Sequence, residues 1–190
     1  MKEMEEMILR EGKVLPGGIL KVGSFLNQQI DTVFLSRMAN EIAGLFADDQ
    51  PSKILTIESS GIAIAAAVGI AMGVPMVFAK KHKSSNVDGS TYTSVVHSYT
   101  HNTDYNIVVS SDYLLKEDRV LLVDDFLANG KALLGLIDLV DQAGAQLVGA
   151  ACAIEKGFQG GGDALRARGI RVESLAIVDS MTDDSITFRT

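Results

Sequence analysis

The sequence predicts an α/β fold, a mostly parallel central sheet flanked by helices. Two observations lead there. Short apolar runs at 53–57, 74–79, 120–123, 146–155 and 172–176 alternate with segments of helical periodicity. That alternation belongs to βαβ units, with helices on both faces of the sheet. The second observation is the order of residues around one of those runs. Val120-Leu-Leu-Val ends in two adjacent carboxylates, Asp124 and Asp125. The short polar loop Ala128-Asn129-Gly130 follows, and then an apolar helical pattern of Leu133, Leu136, Ile137 and Val140. This reads as strand, acidic strand end, tight loop and helix N-terminus. Ligands of open α/β sheets sit outside the carboxyl ends of the strands.

The elements follow in order. Residues 2–11 form a charged amphipathic helix with Met4, Met7 and Ile8 on one side. Pro16-Gly17-Gly18 is a turn, and 19–22 is a short strand. Asp31 caps a helix that carries Leu35, Met38, Ile42 and Phe46 on one face. Residues 53–57 are a buried strand. Glu58-Ser59-Ser60-Gly61 then turns into an Ala-rich helix, and 74–79 is the next strand. Residues 80–111 are polar, charged and β-branched, too long for an ordinary connection. A segment of this kind is expected to be a long, flexible active-site loop. Within it, 91–99 and 106–109 can pair as a hairpin. The strand–loop–helix unit around the acidic pair ends at Gly144, and strands at 146–155 and 172–176 complete the sheet. One domain is expected over 1–190, without internal repeats or low-complexity segments.

Composition narrows the setting. The chain has 190 residues, 47% of them hydrophobic, enough for a sizeable core, and a net charge of −7. An acidic balance argues against a surface that coats nucleic acid. A highly anionic ligand must then be held by local donors, backbone dipoles and metal ions. Cys152 is the single cysteine, so no intrachain disulfide can form. It lies in an apolar run and is expected to be a small core residue rather than a nucleophile. The start, Met1-Lys2-Glu3-Met4-Glu5-Glu6, has no long apolar segment behind it, so no secretion signal is expected. The apolar run 61–76 is broken by Gly69, Gly73 and Pro75 and is too short to span a membrane. The expected setting is the reducing cytoplasm, with no membrane or nucleic-acid partner.

The acidic strand end carries the chemistry. Free N–H groups of the following loop and first helical turn attract a phosphate. Asp124 and Asp125 can accept hydrogen bonds from paired hydroxyls. A phosphate at one end and a diol at the other describe a sugar phosphate; a plain helix cap or a metal site is the alternative. A P-loop is excluded, because Asp125 stands where its first Gly is required and Ala132 follows Lys131. The turn Glu58-Ser59-Ser60-Gly61 offers hydroxyls and backbone N–H groups to an anion, or a serine N-cap to its helix. Lys80 and Lys81 are either solvated lysines or charge partners of a bound anion. His97 and His101 are four apart, but their β-like surroundings argue against a shared metal ion, and His82 is read as a loop residue.

Val-Leu-Leu-Val-Asp-Asp-x-x-Ala-x-Gly resembles the phosphoribosyl-diphosphate (PRPP) motif of type I phosphoribosyltransferases. With it, residues 125–130, Ser24-Phe25-Leu26-Asn27-Gln28-Gln29-Ile30-Asp31 and Ile154-Glu155-Lys156 are similar to the bacterial xanthine phosphoribosyltransferase family. The resemblance runs over nearly the whole chain. It implies the type I phosphoribosyltransferase fold, with a small hood built from the N-terminal 30 or so residues and the C-terminal part. It also implies a purine-salvage reaction in the cytoplasm, in which xanthine and PRPP give xanthosine 5′-monophosphate and pyrophosphate.

The resemblance distributes roles among the residues. Asp124 and Asp125 are the catalytic pair on the ribose hydroxyls. Backbone N–H groups of Ala128, Asn129, Gly130, Lys131 and Ala132 hold the 5′-phosphate. Glu58, Ser59, Ser60 and Gly61 form the pyrophosphate loop, often held by a non-proline cis peptide. Lys81 neutralises the diphosphate, in some relatives from the neighbouring subunit, which implies a homodimer. Leu20 and Asn27 belong to the hood over the base, and Lys156 donates to the exocyclic oxygen of the purine. Phe126 packs against the flat base or anchors its loop in the core. Mg²⁺ arrives with PRPP and keeps several waters, so no dedicated protein cage is expected. The long loop closes to exclude water. A hypoxanthine-guanine or adenine phosphoribosyltransferase is the nearest rival, and Lys156 argues against adenine, whose 6-amino group offers no oxygen. A PRPP-sensing transcriptional regulator of the same fold needs a DNA-binding domain and a basic face. Only about 50 residues precede the first core strand here.

Overall fold

The computed structural model describes residues 1–81, 90–98, 103–182 and 185–189. The chain opens with helix α1 (Lys2–Glu11), the small hairpin β1 (Lys13–Leu15) and β2 (Ile19–Lys21), a wide π-type turn over Gly23–Asn27, and α2 (Thr32–Leu45). Then come β3 (Lys53–Ile57), α3 (Gly61–Met72), β4 (Met76–Ala79), and a second hairpin of β5 (Thr91–Ser98) and β6 (Thr103–Ser110). The remainder is β7 (Arg119–Leu127), α4 (Lys131–Ala143), β8 (Gln146–Lys156), α5 (Gly161–Ala167), β9 (Val172–Met181) and β10 (Ile186–Phe188). Six strands make the central sheet in the order β10-β9-β8-β7-β3-β4. All neighbours are parallel except β10, which runs antiparallel to β9. No helix among the described residues is long and apolar enough to cross a membrane.

Period-two alternation divides the core into two layers. Ile54, Leu121, Val123, Ala151, Ala153 and Leu175 face one side, where Met4, Ile8, Phe34, Met38, Ile42 and Ile64 of α1, α2 and α3 cover them. Leu55, Ile57, Val120, Leu122, Ala150 and Cys152 face the other side, against Leu133, Leu136, Leu139 and Val140 of α4. Strands covered on both faces read as unbroken apolar runs, which is why these were visible in the sequence. Helix ends follow local chemistry. Asp31 Oδ1 accepts the N–H groups of Val33 at 3.1 Å and Phe34 at 2.9 Å, satisfying two donors that α2 leaves unpaired. Helix α4 ends at Gly144, at φ 68°, as expected from the sequence.

The segment 80–111 contains the hairpin that the sequence suggested within it. The hairpin β5–β6 is paired in continuous register from Thr91 with Ser110 to Ser98 with Thr103. β6 begins three residues before the expected 106–109 span and ends one residue after it, while β5 falls within the expected 91–99. Lys80 joins them, with its N–H donating to Val108 O and Val108 N–H donating back, both at 2.9 Å. Val96, Ile107 and Val109 are buried against α4. The physical reason is on the helix. A β-carbon at Gly135 would lie 2.5 Å from Val96 Cγ2 and 3.2 Å from Ile107 Cδ1, so only glycine lets the hairpin seat that closely. His97 Nδ1 pairs with Asp104 Oδ1 at 2.6 Å across the hairpin. His82 and His101 lie outside the described residues, as does the chain from 82 to 89 on which a closing loop would depend.

Gly135→Val is therefore expected to lower stability by roughly 1–3 kcal/mol, as overpacking does. Urea unfolding measures it; an unchanged midpoint would mean that the hairpin is not seated on α4.

Candidate active site

Parallel pairing brings the carboxyl ends of β3, β4, β7 and β8 to one edge of the sheet, and the candidate residues lie there. Ile57 of β3 pairs with Ala79 of β4, and Glu58 N–H donates to Ala79 O at 3.0 Å. Asp124 pairs with Cys152, and Leu127 with Glu155. The acidic pair thus belongs to the last turns of a nine-residue strand rather than to the loop after it.

Asp124 is buried, only 5% exposed, while Asp125 is partly exposed beside it. Burial pushes the Asp124 carboxyl well above the ordinary range, and the charge of Asp125 adds to that. The Asp125 N–H, which donates to Asp124 Oδ1 at 2.9 Å, and the charge of Lys81 act in the opposite direction. Asp125 Oδ2 accepts from Asn27 Nδ2 at 3.2 Å, across 98 residues of sequence. The hood residue and the acidic pair are in direct contact.

Two loops flank this pair. Glu58-Ser59-Ser60 leads into α3 through a cis peptide between Glu58 and Ser59, as the family resemblance implied. Ser60 makes no side-chain cap bond to α3, which removes the plain N-cap alternative. A β-carbon at Gly61 would overlap Thr56 Oγ1 and lie 3.0 Å from Asp124 Oδ1. Glycine at this position lets the loop close onto the carboxylate. Thr56 Oγ1 is buried and has no hydrogen-bond partner among the described residues. The second loop runs from Ala128 to Ala132. Gly130, at φ 81°, precedes the first helical residue of α4. A left-handed backbone of this kind favours glycine. Asn129 Oδ1 accepts the Lys131 N–H at 3.1 Å, so one donor of the loop is occupied by its own neighbour.

The lysines separate cleanly. Lys81 N–H donates to Glu58 Oε1 at 2.5 Å, and its ammonium lies 5.4 Å from the centre of the Tyr105 ring. Burial raises the Tyr105 phenol, with the Asp124 charge adding to it, so the hairpin borders the site as well. Lys80 instead lines a cavity of about 650 Å³ with Phe78, Val108 and Tyr113, on the outer side of β4. Lys156 is half-buried at the end of β8. It donates to Gly18 O at 3.2 Å and stands 5.5 Å over the Phe126 ring. Burial lowers its ammonium below the usual lysine range.

Leu20 lies in the small β1–β2 hairpin at the hood. Its side chain is 5% exposed and packs in the core with Phe25 and Leu26, so it anchors the β1–β2 hairpin. Cys152 is fully buried, and burial above all drives its thiol well above the normal range, which fits an inert core residue. Sequence reasoning missed Thr56, Tyr105, Gly161 and the buried Glu155. For Glu155 a signal existed, a charged residue at the end of an otherwise apolar strand.

Comparison with known proteins identifies the arrangement. Residues 27–174 match the phosphoribosyl transferase domain. The chain belongs to that family. A xanthine phosphoribosyltransferase of Limosilactobacillus fermentum is 50% identical over 189 residues, spanning all of this chain and 97% of the relative. The corresponding protein of Bifidobacterium longum is 54% identical over 192 residues, with both chains covered completely. Among solved structures, the adenine phosphoribosyltransferase of Giardia lamblia shares the fold, with a TM-score of 0.79 at 22% identity over 94% of this chain and 98% of that one. The matched domain contains the acidic pair and both flanking loops. Lys156 and Asn27 also fall within it.

The burial of Asp124 has a consequence for stability. A carboxyl raised in the folded state stabilises the fold fully below its unfolded value of about 3.9, and that contribution is lost as pH rises through the raised folded value. Asp124→Asn removes the loss. The ligand-free variant is expected to unfold at higher denaturant than the wild type at pH 7–8, with the gap closing toward pH 4. A variant less stable than wild type across that range would contradict the assignment of burial as the dominant cause.

Proposed function

We propose that the chain is a cytoplasmic, homodimeric xanthine phosphoribosyltransferase that joins xanthine to PRPP and releases pyrophosphate. The observation that carries the chemistry is the carboxylate pair set between two anion-binding loops. Identity of about 50% with full-length relatives of that name supports the choice of base.

The reaction displaces pyrophosphate from the anomeric carbon by a purine nitrogen. A transition state of cation-like character at that carbon needs positioning and charge stabilisation more than a strong nucleophile. Asp124 and Asp125 accept the ribose hydroxyls and place negative charge beneath the sugar. The loop from Ala128 to Ala132 receives the 5′-phosphate on its backbone N–H groups. Asn129 Oδ1 occupies the Lys131 N–H in the free protein, and a phosphate oxygen is a direct replacement for it. Ser59, Ser60 and the first N–H groups of α3 face the departing pyrophosphate, with Lys81 beside them. Glu58 and the serine hydroxyls are hard oxygen donors that suit Mg²⁺, which when bound with PRPP neutralises charge on the leaving group.

Base recognition falls to the hood. Lys156 exchanges its bond to Gly18 O for the 6-oxo group of the purine, over the face of Phe126. Asn27 uses one amide hydrogen on Asp125, leaving the second for a 2-oxo group. A site that hydrogen-bonds a particular group rejects analogues that leave its donors unpaired.

With PRPP and Mg²⁺, kcat/KM is expected to be highest for xanthine, lower for guanine and hypoxanthine, and lowest for adenine. Asn27→Ala is expected to reduce the preference for xanthine over guanine by about tenfold, the effect of one hydrogen bond in a dry site. Wild type without a xanthine preference would overturn the choice of base. A preference untouched by Asn27→Ala would move selectivity to another part of the hood.

A further inference from the structure

Glu155, in the Ile154-Glu155-Lys156 motif, has no part in holding the base, yet it has no exposed surface at all. A buried carboxylate persists only when it is paired and hydrogen-bonded. Arg166 of α5 supplies a two-pronged partner, Nη1 to Oε1 at 2.9 Å and Nη2 to Oε2 at 2.7 Å. Ser174 of β9 donates to Oε2 at 2.6 Å. A fork of this kind fixes orientation as well as distance. What it orients is α5, a helix of seven residues. Helices so short depend on tertiary contacts for their position.

The first residues of α5 are packed on both sides. A β-carbon at Gly162 would overlap Glu155 Oε1. A β-carbon at Gly161 would overlap Ala128 O and crowd Gly130 N at 2.5 Å. The Gly161 N–H also donates to Ala128 O at 3.1 Å. Contact is therefore continuous from Glu155 through Arg166 and α5 to the loop from Ala128 to Ala132. In sequence these groups are scattered, but Leu127 and Glu155 are register partners, so both ends of the chain of contacts begin at one rung of the sheet.

We propose that Glu155 is a positioning residue for the 5′-phosphate end of the substrate, acting through Arg166 and Gly161 and not through its neighbour Lys156. The inference rests on the reading of the Ala128 to Ala132 loop as the 5′-phosphate cradle. Backbone donors grip a phosphate only when held within about 0.5 Å of the productive geometry, and this loop has α5 as its outer wall.

The test compares xanthosine 5′-monophosphate with xanthosine, which differ only in the 5′-phosphate. Calorimetric titration of the full chain is run on wild type, Glu155→Gln, Arg166→Lys and Gly161→Ala. Arg166→Lys keeps a positive charge on Glu155 but loses the fork, so it carries the test if Glu155→Gln does not fold. The expected result is a loss of about tenfold or more in nucleotide affinity in each folded variant, with xanthosine affinity unchanged. In turnover, KM for PRPP rises while KM for xanthine stays as in wild type. Equal losses for nucleotide and nucleoside would overturn the proposal, as would unchanged nucleotide affinity in a destabilised variant. Wild type that binds both ligands alike would overturn the cradle reading itself, before any variant is compared.

Discussion

Two adjacent carboxylates at the end of a buried strand repel each other, and much of the surrounding structure answers that repulsion. Asp124 lies under the sheet edge, where burial and the Asp125 charge both disfavour its ionised form. Donors approach from every side that the chain can supply. Asn27 reaches Asp125 from the hood, Lys81 adds charge from the end of β4, and the Asp125 N–H caps Asp124. None of these removes the excess of negative charge. In the proposed reading, PRPP with Mg²⁺ brings the hydroxyl donors and the divalent cation that would do so.

Close approach at two glycines is what brings the two flanking loops into place. Gly61 lets the first loop meet Asp124, and Gly161 lets α5 press on the second. Each is a position where a methyl group would strike an oxygen. The sheet supplies the frame, since parallel strands end at a common edge, and the core layers on both faces keep that edge straight. In the proposed reading, the hood and the end of β8 address the base, and the loops after β3 and β7 address the two phosphate ends.

Much of this was legible in the residues alone. The unbroken apolar run of β7, the Asp31 cap and the Gly144 stop are local signals, set by periodicity and backbone chemistry. The acidic pair and its loop could be recognised from seven or so residues of sequence. The hairpin β5–β6 was legible only in part, because its seat depends on Gly135, distant in sequence. Glu155 at the end of β8 takes its partners from α5 and, through Ser174, from β9, and no local pattern announces that set. Non-local contacts of this kind appear only once the sheet register is known.

The central claim is that Asp124 and Asp125 act on the ribose, and the double variant Asp124→Asn with Asp125→Asn tests it most directly. Asparagine keeps the shape of each side chain and removes the charge, so the fold is expected to remain and to bury the same surface. Charge-assisted hydrogen bonds are worth about 1.5–3 kcal/mol each, so turnover of PRPP and xanthine is expected to fall on the order of 10²-fold or more. A folded double variant with near-normal turnover would contradict the account.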